Sequence, residues 1–220
     1  MYTVAPQVPR IREVFGKPVK PVERTEVIDR ETFRLKTSFE NLKSEGDQAS
    51  GDVVHDIVIT IPYRDTFQHV RTTMEGSFVF DLESKMRPHL FIFGKEQDTI
   101  SGVLDTALFG GDRGIAFTSI APPKILQFTK NHAAKILWAS FKGLNIPNLN
   151  KSSLWGPDLA TTQDYDRYCA HGQNHYVMIE LKGQHWVVAI GSDGKAIMYS
   201  KVSQADFLEF LKTEVVPILK

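Results

Sequence analysis

The side chains best suited to chemistry lie close together late in the sequence: Cys169, His171, His175 and His185. A thiol becomes a nucleophile when an imidazole takes its proton and a polar group orients the ring. The spacing puts Cys169 near a helix end, whereas the histidines fall on a loop and two strands. The three imidazoles are also common transition-metal ligands, but no carboxylate joins them at a defined spacing. A small, half-buried cysteine with histidines at strand edges explains the same residues without any reaction. No catalytic residue, metal or cofactor is expected.

A second candidate is GGDRGIA, residues 110–116, in which Gly110, Gly111, Asp112 and Arg113 form a possible phosphate loop. Glycines let backbone N–H groups approach a phosphate, and the arginine supplies paired charged donors. Gly110, Arg113 and Ala116 fit the pattern G-x-x-R-x-x-A, which resembles the phosphate-contacting box of the ParB/sulfiredoxin fold. That family follows the box with a helix, whereas GIAFTSI reads as a strand. A tight helix-to-strand turn with Asp112 and Arg113 in solvent is the plainer alternative. GQHWVVAIG, residues 183–191, resembles the histidine strand of papain-like cysteine hydrolases. In those enzymes the cysteine opens a helix far upstream of that strand, whereas here sixteen residues separate Cys169 from His185.

Other chemistries find less support. There is no Walker loop, nucleophile elbow or dinucleotide fingerprint. Asp105, Asp112, Asp164 and Asp166 show no spacing that marks an acid–base pair. Tyr63, Arg64, Phe67, His69 and Arg71 interleave aromatic and basic residues as nucleic-acid stacking surfaces do, yet a helix with Phe67 and Val70 inward accounts for them equally well. With 26 basic and 26 acidic residues no global field draws the chain to nucleic acid, which is not an expected partner.

The elements that must position these residues are read from periodicity. Pro6, Pro9, Pro18 and Pro21 predict an extended arm over residues 1–24, with a single α+β domain over 25–220. Residues 25–42 fit either a short helix or two irregular strands, and 44–52 read as a flexible loop. VVHDIVITI (53–61), stopped by Pro62, reads as a strand, and SFVFDLE with HLFIFG as a hairpin around SKMRP. Asp98 to Phe109 is an amphipathic helix with Asp98 or Thr99 as its cap and Gly110 as its stop.

Pro122 and Pro123 open a helix expected to reach about Lys142, with Leu126, Ala133, Leu137 and Phe141 as its buried stripe. Residues 143–158 read as a long loop anchored by Trp155. HYVMIEL, HWVVAIG and KAIMYS predict a three-stranded antiparallel meander, followed by a helix capped by Ser203 with Asp206. The fold class is therefore α+β, with a mixed or antiparallel sheet and flanking helices.

A chain of 220 residues that is 42% hydrophobic can bury a substantial core without metal or disulfide. A single cysteine excludes an intramolecular disulfide and suits a reducing compartment, so a cytoplasmic location is expected. No stretch approaches the roughly 18 apolar residues of a membrane-spanning helix, and membrane insertion is not expected.

Three stretches, HVRTTMEGSFVFDLESKMRPHLFIFG, GVLDTALFGGDRGIAF and HYVMIELKGQHWVVAIG, give the chain an overall pattern that resembles the plasmid-encoded fertility inhibition factors. The resemblance implies a cytoplasmic protein, with a ParB/sulfiredoxin-like fold in one group of such inhibitors. It implies stoichiometric binding to the conjugative coupling ATPase, the type IV coupling protein of another plasmid's transfer system, without turnover. A binder of this kind needs exposed aromatic or arginine anchors on a rigid scaffold, and Trp155, Tyr165, Tyr168, Arg113 and the proline arm are the candidates. A nucleotide- or DNA-acting protein and a cysteine hydrolase are the alternative classes.

Overall fold

Long β-branched and aromatic runs make this chain mainly a strand former, and the computed structural model bears that out as an α+β fold with two antiparallel sheets. The structure describes residues 1–4, 8–15, 19–83, 88–111 and 113–219. The contacts gather into two compact units, Met1–Ala116 and Phe117–Lys220, and each is described by itself.

The first unit runs β1 (Tyr2–Val4), α1 (Val8–Phe15), β2 (Val22–Ile28), β3 (Glu31–Glu45), β4 (Gln48–Tyr63), β5 (Thr66–Asp81), β6 (His89–Phe93), α2 (Gln97–Phe109) and β7 (Ile115–Phe117). Its sheet has the order β2-β3-β4-β5-β6-β1-β7. The extended arm foreseen for residues 1–24 is replaced by strand β1 and helix α1, and Ile11 and Phe15 of α1 are buried. The Phe15 ring lies 5.5 Å from that of Phe78 and 5.7 Å from that of Phe80, so core aromatics hold this segment in place. Pro6 and Pro18 lie outside the described residues.

Between residues 25 and 42 the two-strand alternative is the one adopted. The polar window 44–52 is the end of β3, a tight turn at Gly46 and Asp47 and the start of β4, and Gly46 takes the left-handed conformation the turn needs, with φ 56°. Nor does Pro62 end β4, which continues to Tyr63 opposite Thr66. Helix α2 closes at Gly110 as expected, with φ 70° and its N–H donating to the Thr106 carbonyl. Its start lacks the expected side-chain cap.

The second unit runs α3 (Pro122–His132), β8 (Ala133–Ile146), β9 (Leu149–Trp155), α4 (Gln163–His171), β10 (Gln173–Leu181), β11 (Val187–Gly191), β12 (Ala196–Met198) and α5 (Gln204–Phe210). The strand order is β12-β11-β10-β8-β9, so the expected C-terminal meander is present and extended by two more strands. Ser203 caps α5 by accepting the Asp206 N–H, as expected.

The long helix foreseen to Lys142 stops at His132, and its second half is β8. A bulge hides the alternation. Met178 pairs with Trp138 but the next residue, Ile179, pairs with Ile136, so Leu137 is an extra residue and both Ile136 and Ala139 end buried. The long loop foreseen at 143–158 is largely the β8–β9 hairpin, turning through Asn148 at φ 62°. Helices α3 and α4 lie on the face carrying Val177, Ile179, Ala139 and Phe141, where Phe141 meets Tyr165 and Tyr168.

Candidate protein-binding face

Side chains alternate across a strand, so the register fixes what the other face of the second sheet presents. Following the pairs outward from β12, Ile197 opposes Ala189, Ala189 opposes Met178, Met178 opposes Trp138, and Trp138 opposes Trp155. One row of apolar side chains therefore crosses all five strands. It is open to solvent at its ends, with Trp155 78% and Ile197 44% exposed, and Tyr199 adds a neighbouring ring 53% exposed. A shallow groove of about 390 Å³ runs between Trp138, Trp155, Met178, Val187 and Tyr199. An apolar strip with exposed aromatic ends of this kind is characteristic of an interaction surface.

Strands β8 and β9 repeat the pattern as a ladder. Trp138 faces Trp155, Ser140 faces Ser153 with their hydroxyls 3.2 Å apart, and Lys142 faces Lys151. Among the described residues neither lysine has a carboxylate within ion-pairing distance, and like charges directly opposed across strands destabilise a sheet. Beside them Lys142 donates to His175 Nε2 at 2.6 Å while the other ring nitrogen meets the Ser192 hydroxyl. Burial, helped by the Lys142 charge, pushes the His175 imidazole below its ordinary value, consistent with a neutral ring that accepts at Nε2. At the other end of the face Glu180 takes His185 Nδ1 at 2.8 Å and Lys135 Nζ at 3.1 Å, bonds that hold its carboxyl below the usual range.

The Cys169 constellation is not assembled. Burial pushes the thiol above its ordinary range, and the groups that act on it are Tyr165, Asp166 and Lys130 rather than any histidine. His175 and His185 are engaged as described, and His171 ends α4. Among the described residues no group of three or more His, Cys, Asp or Glu side chains could hold a metal ion.

The possible phosphate loop is the turn after α2. Gly110 and Gly111 have positive φ, Arg113 is exposed at φ 55°, and β7 follows where the phosphate-box pattern has a helix. Asp112 lies outside the described residues. The aromatic and basic residues 63–71 form the tip of the β4–β5 hairpin and not a helix: Phe67 is 66% exposed, Arg64 lies over the Tyr63 ring at 5.3 Å, and His69 meets Asp29 at 2.9 Å.

Of the expected anchors, Trp155 is the one on the apolar row. Tyr165 is only 6% exposed and packs on Phe141, so it cannot serve as a surface anchor, and Tyr168 is half-buried against the same ring. Arg113 belongs to the other unit. Trp138, Met178, Ile197 and Tyr199 were not singled out. For Met178 the signal is the parity of HYVMIEL, in which Tyr176, Met178 and Glu180 take the face opposite Val177 and Ile179. For Trp138 the helical reading concealed it.

These features define a class: an α+β protein whose second unit exposes an aromatic sheet face with a lysine pair at its edge. Compared with known proteins, the chain matches no family model and no curated protein. Among the described residues no helix is long and apolar enough to cross a membrane.

Proposed function

We propose that this protein is a stoichiometric inhibitor that works by occupying another protein's surface, and that its partner is the coupling ATPase of a conjugative transfer system. Two things support the reading: the sequence pattern resembling fertility inhibition factors, and the aromatic face of the second sheet. The observation that carries it is the row Ile197, Ala189, Met178, Trp138 and Trp155, whose ends, Ile197 and Trp155, stand in solvent on a rigid scaffold with half-buried Met178 and Trp138 between them. Tryptophan is among the residues that most often dominate the energy of an interface.

Lys142 and Lys151, opposed across the strand pair, give the partner a charge. An acidic patch beside an apolar one would relieve their mutual repulsion on docking. Binding of this kind would keep the relaxosome from the secretion channel in the cytoplasm, with no chemical step.

The test combines pull-down and mating. Cells carrying a conjugative plasmid should transfer it less often when the protein is expressed, and the tagged protein should retain the coupling ATPase. Trp155→Ala should lose both effects while staying folded. Undiminished transfer during expression of the intact protein would overturn the proposal.

A further inference from the structure

The edge of a sheet presents a row of unpaired N–H and C=O groups, and proteins guard such edges with brevity, lysine, proline or a bulge. Among the edge strands here, β7 and β12 span three residues each and β9 carries Lys151. Strand β2 has none of these guards. Its seven residues, VERTEVI, hold no lysine or proline, pair with β3 in an unbroken register and are exposed from Val22 to Val27. Among the described residues no strand pairs with its outer side.

The turn between β2 and β3 fixes which backbone groups are unused. Asp29 and Arg30 have positive φ, 48° and 73°, as a two-residue hairpin turn demands, and Ile28 pairs with Glu31 across it. The pair flanking such a turn is hydrogen-bonded, and bonded and non-bonded pairs alternate from there. Val22, Arg24, Glu26 and Ile28 therefore bond to β3, whereas Glu23, Thr25 and Val27 turn their N–H and C=O groups outward.

The side chains specify the strand that fits. A second copy of β2 laid antiparallel meets the first about a two-fold axis, so one residue opposes itself and sets the register. With the axis at Glu23, Arg24 or Glu26 like charges would be opposed, which destabilises a strand pair. With the axis at Val22, Val27 or Ile28 less than half of the strand overlaps. With the axis at Thr25 the whole strand pairs: Arg24 opposes Glu26 and Val22 opposes Ile28, each twice, and Glu23 opposes Val27. The charges of this edge thus select one register instead of repelling every partner.

Both members of the ionic pair are available for it. Glu26 is exposed, and among the described residues neither it nor Arg24 has an ion-pairing partner. Arg24 reaches His55 Nε2 and the Asp56 carbonyl, each at 3.3 Å. Burial, then the Arg24 charge, keeps the His55 imidazole below its ordinary value, so both contacts are to uncharged groups and N–H donors of the guanidinium are left over.

We infer that β2 is a homodimerisation edge: two copies of this chain join their first sheets antiparallel about Thr25, with Glu23, Thr25 and Val27 exchanging about six hydrogen bonds. A strand pair of this length covers less than a standard interface, so the dimer forms at high micromolar concentration and exchanges readily. The inference does not rest on the aromatic face of the second unit.

Sedimentation of the full chain over a concentration series gives the dimer fraction, and amide hydrogen exchange reads the register. The expected result is a monomer–dimer equilibrium in which the Glu23, Thr25 and Val27 amides gain protection as concentration rises, while those of Arg24 and Glu26 do not change. Thr25→Pro removes the central outward N–H without touching a bond to β3, and should abolish the dimer. Arg24→Glu and Glu26→Arg should each weaken it about tenfold by opposing like charges. An equimolar mixture of those two variants should restore it, because each supplies the charge the other lacks. Thr25→Pro and Glu26→Arg, both at exposed positions, carry the test even where Arg24→Glu folds poorly.

A chain that stays monomeric up to millimolar concentration would overturn the inference. So would a dimer that survives both Thr25→Pro and Glu26→Arg, the result expected if the aromatic face of the second unit made the contact.

Discussion

Trp138 and Trp155 stand directly opposite each other on neighbouring antiparallel strands, with ring centroids 6.1 Å apart and planes 29° from parallel. The two differ in what surrounds them. Trp138 also meets Tyr176 at 5.0 Å and is half-buried, whereas Trp155 projects from the edge strand. Trp155→Ala should therefore change unfolding free energy by less than about 1 kcal/mol. Partner capture should fall tenfold or more, as for an exposed aromatic hot spot. Trp138→Ala should cost about 2 to 3 kcal/mol through lost packing, and urea titration of both variants checks the difference.

Lys151→Glu should remove the like-charge opposition to Lys142 and place opposite charges across the strand pair. The expected gain is a few tenths of a kcal/mol in stability, with weaker capture of an acidic partner. Thermal melting and pull-down read the two effects separately, and their opposite signs distinguish a binding role from a structural one.

Asp56, buried in the first sheet, accepts the Lys36 N–H at 2.9 Å and the Thr73 hydroxyl at 2.9 Å, with Arg71 Nη2 at 2.7 Å. Burial pushes its carboxyl up, but these three partners outweigh burial and hold it below the usual range. Because the folded value is depressed, the stabilisation is complete above the unfolded value near about 4. It is lost as pH falls through the folded value. Asp56→Asn should cost about 1 to 3 kcal/mol at neutral pH and flatten the acid limb of the stability curve, measured by urea unfolding from neutral pH down to strongly acidic pH, below the unfolded carboxylate value.

Burial raises the Cys169 thiol, so its thiolate fraction near neutral pH is below that of a free cysteine. Alkylation should be slower than for a model thiol, with its pH midpoint displaced upward. Cys169→Ser should leave partner capture intact.

Gly194 has φ 73°, and a Cβ there would lie 2.5 Å from the Thr118 carbonyl oxygen. Both the left-handed backbone and the contact with main chain oppose any side chain. Gly194→Ala should cost about 2 to 4 kcal/mol, readable as a lower melting temperature.

What the amino-acid sequence determined by itself is the part governed by short-range physics. Alternation over 173–200, the Ser203 cap and the Gly110 stop are local signals, and each element formed where those signals lie. Tertiary structure decided the rest. One extra residue at Leu137 breaks the period of β8, so a strand with Leu137 and Phe141 four apart reads as a helical stripe until pairing with β10 settles it. The polar windows at 44–52 and 143–158 resemble loops because their residues disfavour strands, yet hairpin pairing, backed by a third strand distant in sequence, extends the strands through them to tight turns. The binding face was illegible for the same reason: it is made by residues far apart in sequence and brought into one row by strand register.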